Sequence, residues 1–365
     1  MALPTFGTNT TLDTLASSYQ TVIEFGEDRA WDAISEQMNA HNETMREIMT
    51  EFAGWTTDRL RRYGTTAKMK MQELDEFGTA DTQKAKAGDV VGFPLSLYGE
   101  SLQWTYRSLL VMTGAQLAAQ FQLALDADIE LMRQLMVRAL VRATNYTTED
   151  RLVDHQESIP IPVKALINAD GSGMPIGPNG EEYDGSTHTH LLAVDWAAAN
   201  AAQKEAALTG ALETVLEHFR GVEVRMVISR SDEAKITSQA GAGFDAYLPA
   251  QIVPALGARF ATGNVIDETD LYNRAIGRYK GAEVWVKPWG IPGYVLIYVR
   301  GGTTPILAIR ERSAGFGDFK LAFEDESHPL RCRGYEREVG VSVWNRVAGS
   351  ILYLGGAAYA VPTIQ

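Results

Sequence analysis

Apolar positions between residues 12 and 52 recur at steps of three and four: Trp31, Ile34, Met38, Met45, Ile48 or Met49, and Phe52. That spacing predicts a helical segment, interrupted at Gly26 and broken near His41 and Asn42. Past residue 57 the period drops to two. Lys68 and Lys70 alternate with Met69 and Met71 over 67–74, and 90–95 reads as a returning strand, so a long two-stranded projection is expected. Such a projection is marginal alone and needs another surface to lie on. The strongest stripe follows at 113–144, where Leu117, Phe121, Leu125, Ile129, Met132, Met136 and Leu140 share one helical face. Roughly 30 residues at about 1.5 Å each make a rod of about 45 Å.

Residues 145–195 read as a surface excursion, with extended stretches at 159–163 and 187–192 separated by glycine- and proline-rich turns. An amphipathic helix at 196–219, a strand at 223–229, a flexible loop at 240–244 and renewed order at 245–249 come next. In the last quarter, runs at 282–286 and 294–299 flank the breaker 288–293, a hairpin-like signal with an extended turn. A long acidic loop, strands at 321–323 and 336–345, and a closing strand pair at 350–354 and 355–361 complete the pattern.

The 365 residues, 45% hydrophobic and 22% charged, supply ample material for a core and fit two or three compact units, or one large unit with long excursions. The single cysteine, Cys332, rules out an intrachain disulfide and fits a reducing compartment. The start carries no basic and apolar leader pattern, so secretion is not expected, and no apolar run reaches the roughly 20 residues of a membrane span. A net charge of −13 argues against a reader of nucleic acid, which gains affinity from clustered Lys and Arg. It does not argue against enclosing DNA without gripping it, because an acidic inner wall repels the polymer.

No phosphate loop, dinucleotide fingerprint, HExxH, CxxC or nucleophile elbow occurs. His188 and His190 are the best metal candidates, since period two puts both imidazoles on one strand face with Asp184 and Asp195 nearby in sequence. No third ligand is identifiable, so no metal site and no cofactor are expected. Cys332 with His328 lacks an orienting partner for thiol chemistry. The acid groups Glu181-Glu182 and Glu324-Asp325-Glu326 read as solvated loops.

The order Tyr279-Lys280-Gly281, strand, proline-rich turn, apolar strand, Gly301-Gly302 and a strand at 305–310, then 333–341 and an Ala/Gly-rich end, resembles the close of tailed-bacteriophage major capsid proteins. The resemblance, to the Johnson-type shell fold, runs back to about residue 100. It implies an α+β chain with an N-terminal helical arm (1–56), an extended β-hairpin loop (57–106), and a peripheral domain beginning with a long spine helix and a β-rich excursion (107–195). An axial domain (196–277) and strands returning through both domains (278–365) would follow. The charges of 57–106 balance in an otherwise acidic chain, and the expected intersubunit contacts are Arg59, Arg61, Arg62, Lys68, Met69, Lys70, Met71, Lys84 and Lys86. By position, Lys84 or Lys86 with Asn345 would be the partners of a covalent cross-link of the kind some relatives form.

The implied function is that of a major capsid protein, not an enzyme, tiling an icosahedral shell around double-stranded DNA through many weak contacts. Implied partners are further copies of the chain in hexamers and pentamers, with scaffolding, portal and cement proteins and DNA bound without sequence preference. Its place would be the virion, assembled in the host cytoplasm. Two alternatives stand beside it. One is an encapsulin-like compartment shell. The other is a soluble α/β enzyme with a site at His188 and His190 and the loops around 324–328.

Overall fold

The computed structural model describes residues 12–62, 71–74, 76–78, 88–151, 158–239, 241–249, 265–266, 273–301 and 304–363. Helices α1 (Leu12–Ala16), α2 (Val22–Phe25) and α3 (Glu27–Met49) open the described chain. Thr21 and Glu24 cap α2 reciprocally, and Gly26, at φ 99°, turns the chain from α2 into α3 through a conformation strained for any side chain. The break expected at His41 and Asn42 is absent: α3 runs through them, because both side chains turn inward onto polar partners of the same chain. Strands β1 (Ala53–Thr56), β2 (Leu60–Arg62), β3 (Val90–Gly92) and β4 (Ser96–Thr105) lead to α4 (Tyr106–Val111) and α5 (Gly114–Val141). Thr113 and Gln116 form the capping box that starts α5.

Strands β5 (Tyr146–Arg151), β6 (Ser158–Val163) and β7 (Leu191–Ala193) precede α6 (Ala201–Leu216), whose first turn is capped by Asn200. Next come β8 (Glu223–Ile228), α7 (Glu233–Thr237), β9 (Phe244–Ala246), β10 (Leu248–Pro249), β11 (Val265–Ile266), β12 (Arg274–Tyr279), β13 (Ala282–Val286) and β14 (Tyr294–Arg300). The chain ends through β15 (Leu307–Arg310), β16 (Lys320–Ser327), β17 (Leu330–Val343) and β18 (Gly349–Tyr353). Among the described residues, no helix is long and apolar enough to cross a membrane.

Two sheets organise the molecule. A seven-stranded sheet in the order β7-β18-β14-β8-β13-β12-β9 packs one face on α6, where Leu208, Leu212 and Val215 meet Val224, Met226 and Ile228. A five-stranded sheet, β1-β15-β17-β16 with β4 also on β17, packs against α5. Strand β14 is buried on both sides: Val295, Ile297 and Val299 face the α6 core, whereas Tyr294 and Tyr298 face the α5 core. Such a strand reads as a near-continuous apolar run.

The runs 282–286 and 294–299 do not form a hairpin, because β8 lies between them, parallel to β13 and antiparallel to β14. Val224 to Ile228 are buried, so this strand needs partners on both edges, and the 288–293 connection carries the chain across it. The acidic stretch 324–326 is strand, not loop: Glu324 and Glu326 sit in β16 and bond across the hairpin to Arg333 and Arg331. The closing pair is one strand, β18, since 356–363 carry no strand. Instead the Tyr294 hydroxyl donates to the Ala360 carbonyl, and the Tyr359 hydroxyl to the end of α5 at Val141.

The stretch expected as a surface excursion, 145–195, also enters the core. Ala165, Leu166 and Ile167 are buried, and Arg346, with a fully buried side chain, donates to the Ala165 carbonyl (2.6 Å), Ser172 Oγ (2.8 Å) and Asp170 Oδ2 (3.1 Å). Burial pushes the Asp170 carboxyl up, but the Arg346 charge and hydrogen bonds from Ser172 and Asn145 outweigh it and hold the group well below the usual carboxylate range. The turn before β18 is thus pinned to this segment.

Candidate assembly surface and histidine cluster

The expected projection is closed at its base by β2 pairing antiparallel with β3. Residues 71–74 are not strand, and Lys68, Met69, Lys70, Lys84 and Lys86 lie outside the described residues. Strand β4, inside the span 57–106, pairs over its whole length with β17 and so belongs to the body sheet. The described contact candidates divide into two kinds. Arg59 Nε reaches Asp150 Oδ2 at 2.9 Å, while Arg61 pairs with Asp58 and lies 4.1 Å over the Trp344 ring, so both cations have partners within their own chain. Met71, by contrast, is fully exposed at 101%, and Leu74 beside it is exposed at 55%.

Arg62 is exposed and lines a cleft of about 340 Å³ with Trp344, Asn345, Thr304 and His218. Asn345, the other cross-link candidate, donates from Nδ2 to Thr304 Oγ1 at 3.1 Å. Further exposed apolar side chains stand at Tyr19, Leu97, Val111 and Leu123.

The N-terminal helix α3 is fastened to its own chain. His41 Nε2 donates to Asp128 Oδ2 (2.8 Å), and Arg337 donates to both oxygens of Asp128 (2.5 and 2.8 Å) and to Asn42 Oδ1 (3.1 Å). Asn42 in turn exchanges two hydrogen bonds with the backbone of Phe319. Nearer its end, Arg46 pairs with Glu311 (2.9 Å) and Asp318 (2.7 Å) while lying 4.0 Å over the Trp55 ring. Of the two roles open to an amphipathic N-terminal helix, core element or arm over a neighbour, α3 fills the first on its inner face.

His188 and His190 do lie together, at the entry to β7, and the structure adds what the sequence hides. His218, just past α6, brings its Nε2 to 3.3 Å from those of His188 and His190, which are themselves 3.2 Å apart. Glu217 Oε1 stands 3.1 Å from His188 Nε2 and 3.8 Å from His218 Nε2. All four ligand atoms fall within 4.8 Å of one another. His190 Nδ1 donates to the Gly349 carbonyl on β18 at 2.7 Å, which leaves its Nε2 as an acceptor when the ring is neutral. Burial pushes the imidazoles of His190 and His218 down, to about 3 and about 4, and lowers His188 as well; the Glu217 carboxyl is raised by burial and then by Glu213.

Other sequence candidates stay apart. Asp184 accepts from Ser186, and Asp195 accepts from the backbone of Ala197 and Ala198, so neither joins the histidines. The alternative enzyme site is split between sheets: the histidines lead into β7 at one edge of the seven-stranded sheet, while 324–326 lie in β16 at an edge of the other. Cys332 sits opposite Asp325 and Gln103 in the sheet, and the ring of His328 packs on Tyr106.

No protein-family model and no curated protein matches the chain. Among solved structures, a chain of Mycobacterium phage Patience aligns over 99% of this chain and 96% of its own, with 19% identity and a TM-score of 0.65. The capsid of cyanophage P-SCSP1u covers 84% and 87% at 10% identity, with a TM-score of 0.49. The holo-SrpI encapsulin complex from Synechococcus elongatus PCC 7942 covers 87% and 91% at 11% identity, with a TM-score of 0.44. Of these three, the first carries the assignment, and at its identity it speaks to architecture alone. The chain has the α+β phage capsid shell fold that its sequence resembles.

Proposed function

We propose that this chain is the major capsid protein of a tailed phage, self-assembling into an icosahedral shell that encloses double-stranded DNA. The observation that carries the reading is the end-to-end likeness, over 99% of this chain and 96% of the other, to a chain of a Mycobacterium phage. Near-complete coverage in both directions makes the likeness one of the whole architecture and not of a single motif. Exposed apolar side chains such as Met71, Leu74, Leu97 and Val111 add to it, since a shell subunit buries such groups against its neighbours. The segment around Met71, with Lys68, Met69, Lys70, Lys84 and Lys86, is the proposed intersubunit arm, and Arg62 its described basic member. Arg59 and Arg61 would support it from within. Each contact is weak, and closure of the shell multiplies them.

On this reading the chain has no catalytic role. Its partners are its own copies, with scaffolding, portal and cement proteins as further candidates, and its place is the virion, after assembly in the host cytoplasm. Packaged DNA is enclosed, not read. The test is sedimentation and electron microscopy of the purified chain. Closed particles of megadalton mass support the proposal, and a discrete small oligomer overturns it. An encapsulin-like compartment is separated by content: nuclease-protected DNA in particles from infected cells marks a capsid, and a protein cargo without DNA marks a compartment.

A further inference from the structure

We propose that His188, His190, His218 and Glu217 form a metal site that holds one zinc-class divalent ion in tetrahedral N3O coordination. Three of the chain's six histidines converge here although His218 is separated from His190 by a strand and a helix. The spacing of their nitrogens is the telling quantity. With a metal–nitrogen distance of about 2.0–2.1 Å, tetrahedral angles place ligand atoms about 3.3 Å apart, whereas octahedral right angles place them about 3.0 Å apart. The three Nε2 atoms are separated by 3.2, 3.3 and 3.3 Å. All three would be bonded to one ion lying about 0.8 Å out of their plane.

The surroundings point the same way. Glu217 Oε1 is buried and close to two imidazoles, yet no hydrogen bond reaches it among the described residues, so its lone pairs face the cluster uncommitted. Hydrogen bonds among the rings satisfy at most part of a triangle of nitrogens of which one, in His190, has its proton on the other side. A cation accepts all four lone pairs at once. The Gly349 carbonyl then serves as the outer partner that fixes a ligating histidine's tautomer and aim. Imidazole with one carboxylate in tetrahedral array selects zinc over calcium or magnesium, which prefer oxygen ligands and higher coordination.

The ion would join three parts of the fold: the 164–190 segment, the edge strand β7 beside β18, and the end of α6. Its role is that of a structural clamp, because side chains of the protein supply four ligands. The proposal does not depend on the shell reading, since its readouts are metal content and unfolding.

The test is made on the whole chain, purified, dialysed against zinc chloride and freed of loose ion. Elemental analysis is expected to find about one zinc per chain, and cobalt chloride to give the intense visible absorption of a tetrahedral site. A strong chelator is expected to lower the thermal midpoint of the wild type. In Glu217→Gln, a same-size change at the most exposed ligand, zinc affinity should fall by on the order of 100-fold and the chelator effect should vanish at limiting zinc. His188→Ala should abolish retention, with circular dichroism reporting that the fold persists. Wild type that retains no zinc and shows no tetrahedral cobalt spectrum overturns the proposal, as does full zinc retention in both variants.

Discussion

Asp128 serves two donors at once. Its side chain is 1% exposed, that of Arg337 2%, and His41 completes the group. Removing the carboxylate would leave the guanidinium buried with its charge uncompensated, so Asp128→Ala is expected to cost about 3–5 kcal/mol in denaturant unfolding. Glu324→Ala, which breaks a pair with Arg333 on an exposed strand, should cost about 1 kcal/mol or less. Equal losses would overturn this ranking. Asp170 gives a pH signature. Its folded value lies below the ordinary 3.8, so its contribution is present above that value and is lost as pH falls through the folded one. The stability gap between wild type and Asp170→Asn should therefore be full at neutral pH and shrink below about pH 4, as read from urea midpoints across a pH series. At this scale the sequence shows residue types but not meetings. His188 and His190 are legible as a pair because two residues of strand separate them, whereas Glu217 and His218 end a helix whose direction only the fold determines.

Helices α3, α5 and α6 were readable because a 3.6-residue stripe survives whatever it packs on. Strand partners were not, since neighbouring runs in sequence, 282–286 and 294–299, gave no sign that β8 would pass between them. The burial of 165–167 was equally hidden, because a glycine- and proline-rich stretch looks the same whether it is solvated or pinned by Arg346. Close backbone approaches are also invisible in sequence and yield a sharp contrast. A Cβ on Gly340 in β17 would stand 1.9 Å from the Pro94 carbonyl oxygen, ahead of β4, while one on Gly210 in α6 meets nothing within 4 Å. Gly340→Ala should destabilise by about 1–3 kcal/mol through forced displacement of the backbone. Gly210→Ala should stabilise by about 0.5–1 kcal/mol, because alanine loses less conformational entropy in a helix. Thermal melts of the two variants would move in opposite directions if these elements are placed as described.

For the whole molecule, the proposed assembly predicts a separation of folding from association. Met71→Asp with Leu74→Asp changes two exposed side chains in the proposed arm, so circular dichroism and the melting midpoint should stay near those of the wild type. Closed particles measured by sedimentation should fall steeply, because a small loss at each contact is repeated around the shell. Normal particle yield would remove this segment from the interface. The shell architecture itself was legible from the order of late strands and the long helix, whereas the intrachain bonds of Arg59 and Arg61 were not, since their partners Asp150 and Trp344 lie far along the chain. One pairing of elements bears on curvature. Helix α5, 28 residues and about 42 Å, runs against β17, 14 residues and about 46 Å, and the two are joined by Phe121 on Tyr335, Asp128 on Arg337, and Met132 and Met136 in one core with Val339 and Val341. A rod and a ribbon of matched length, riveted along their span, behave as a laminated beam: neither flexes unless the rivets shear. A container built from such planks takes its roundness from the hinges between them.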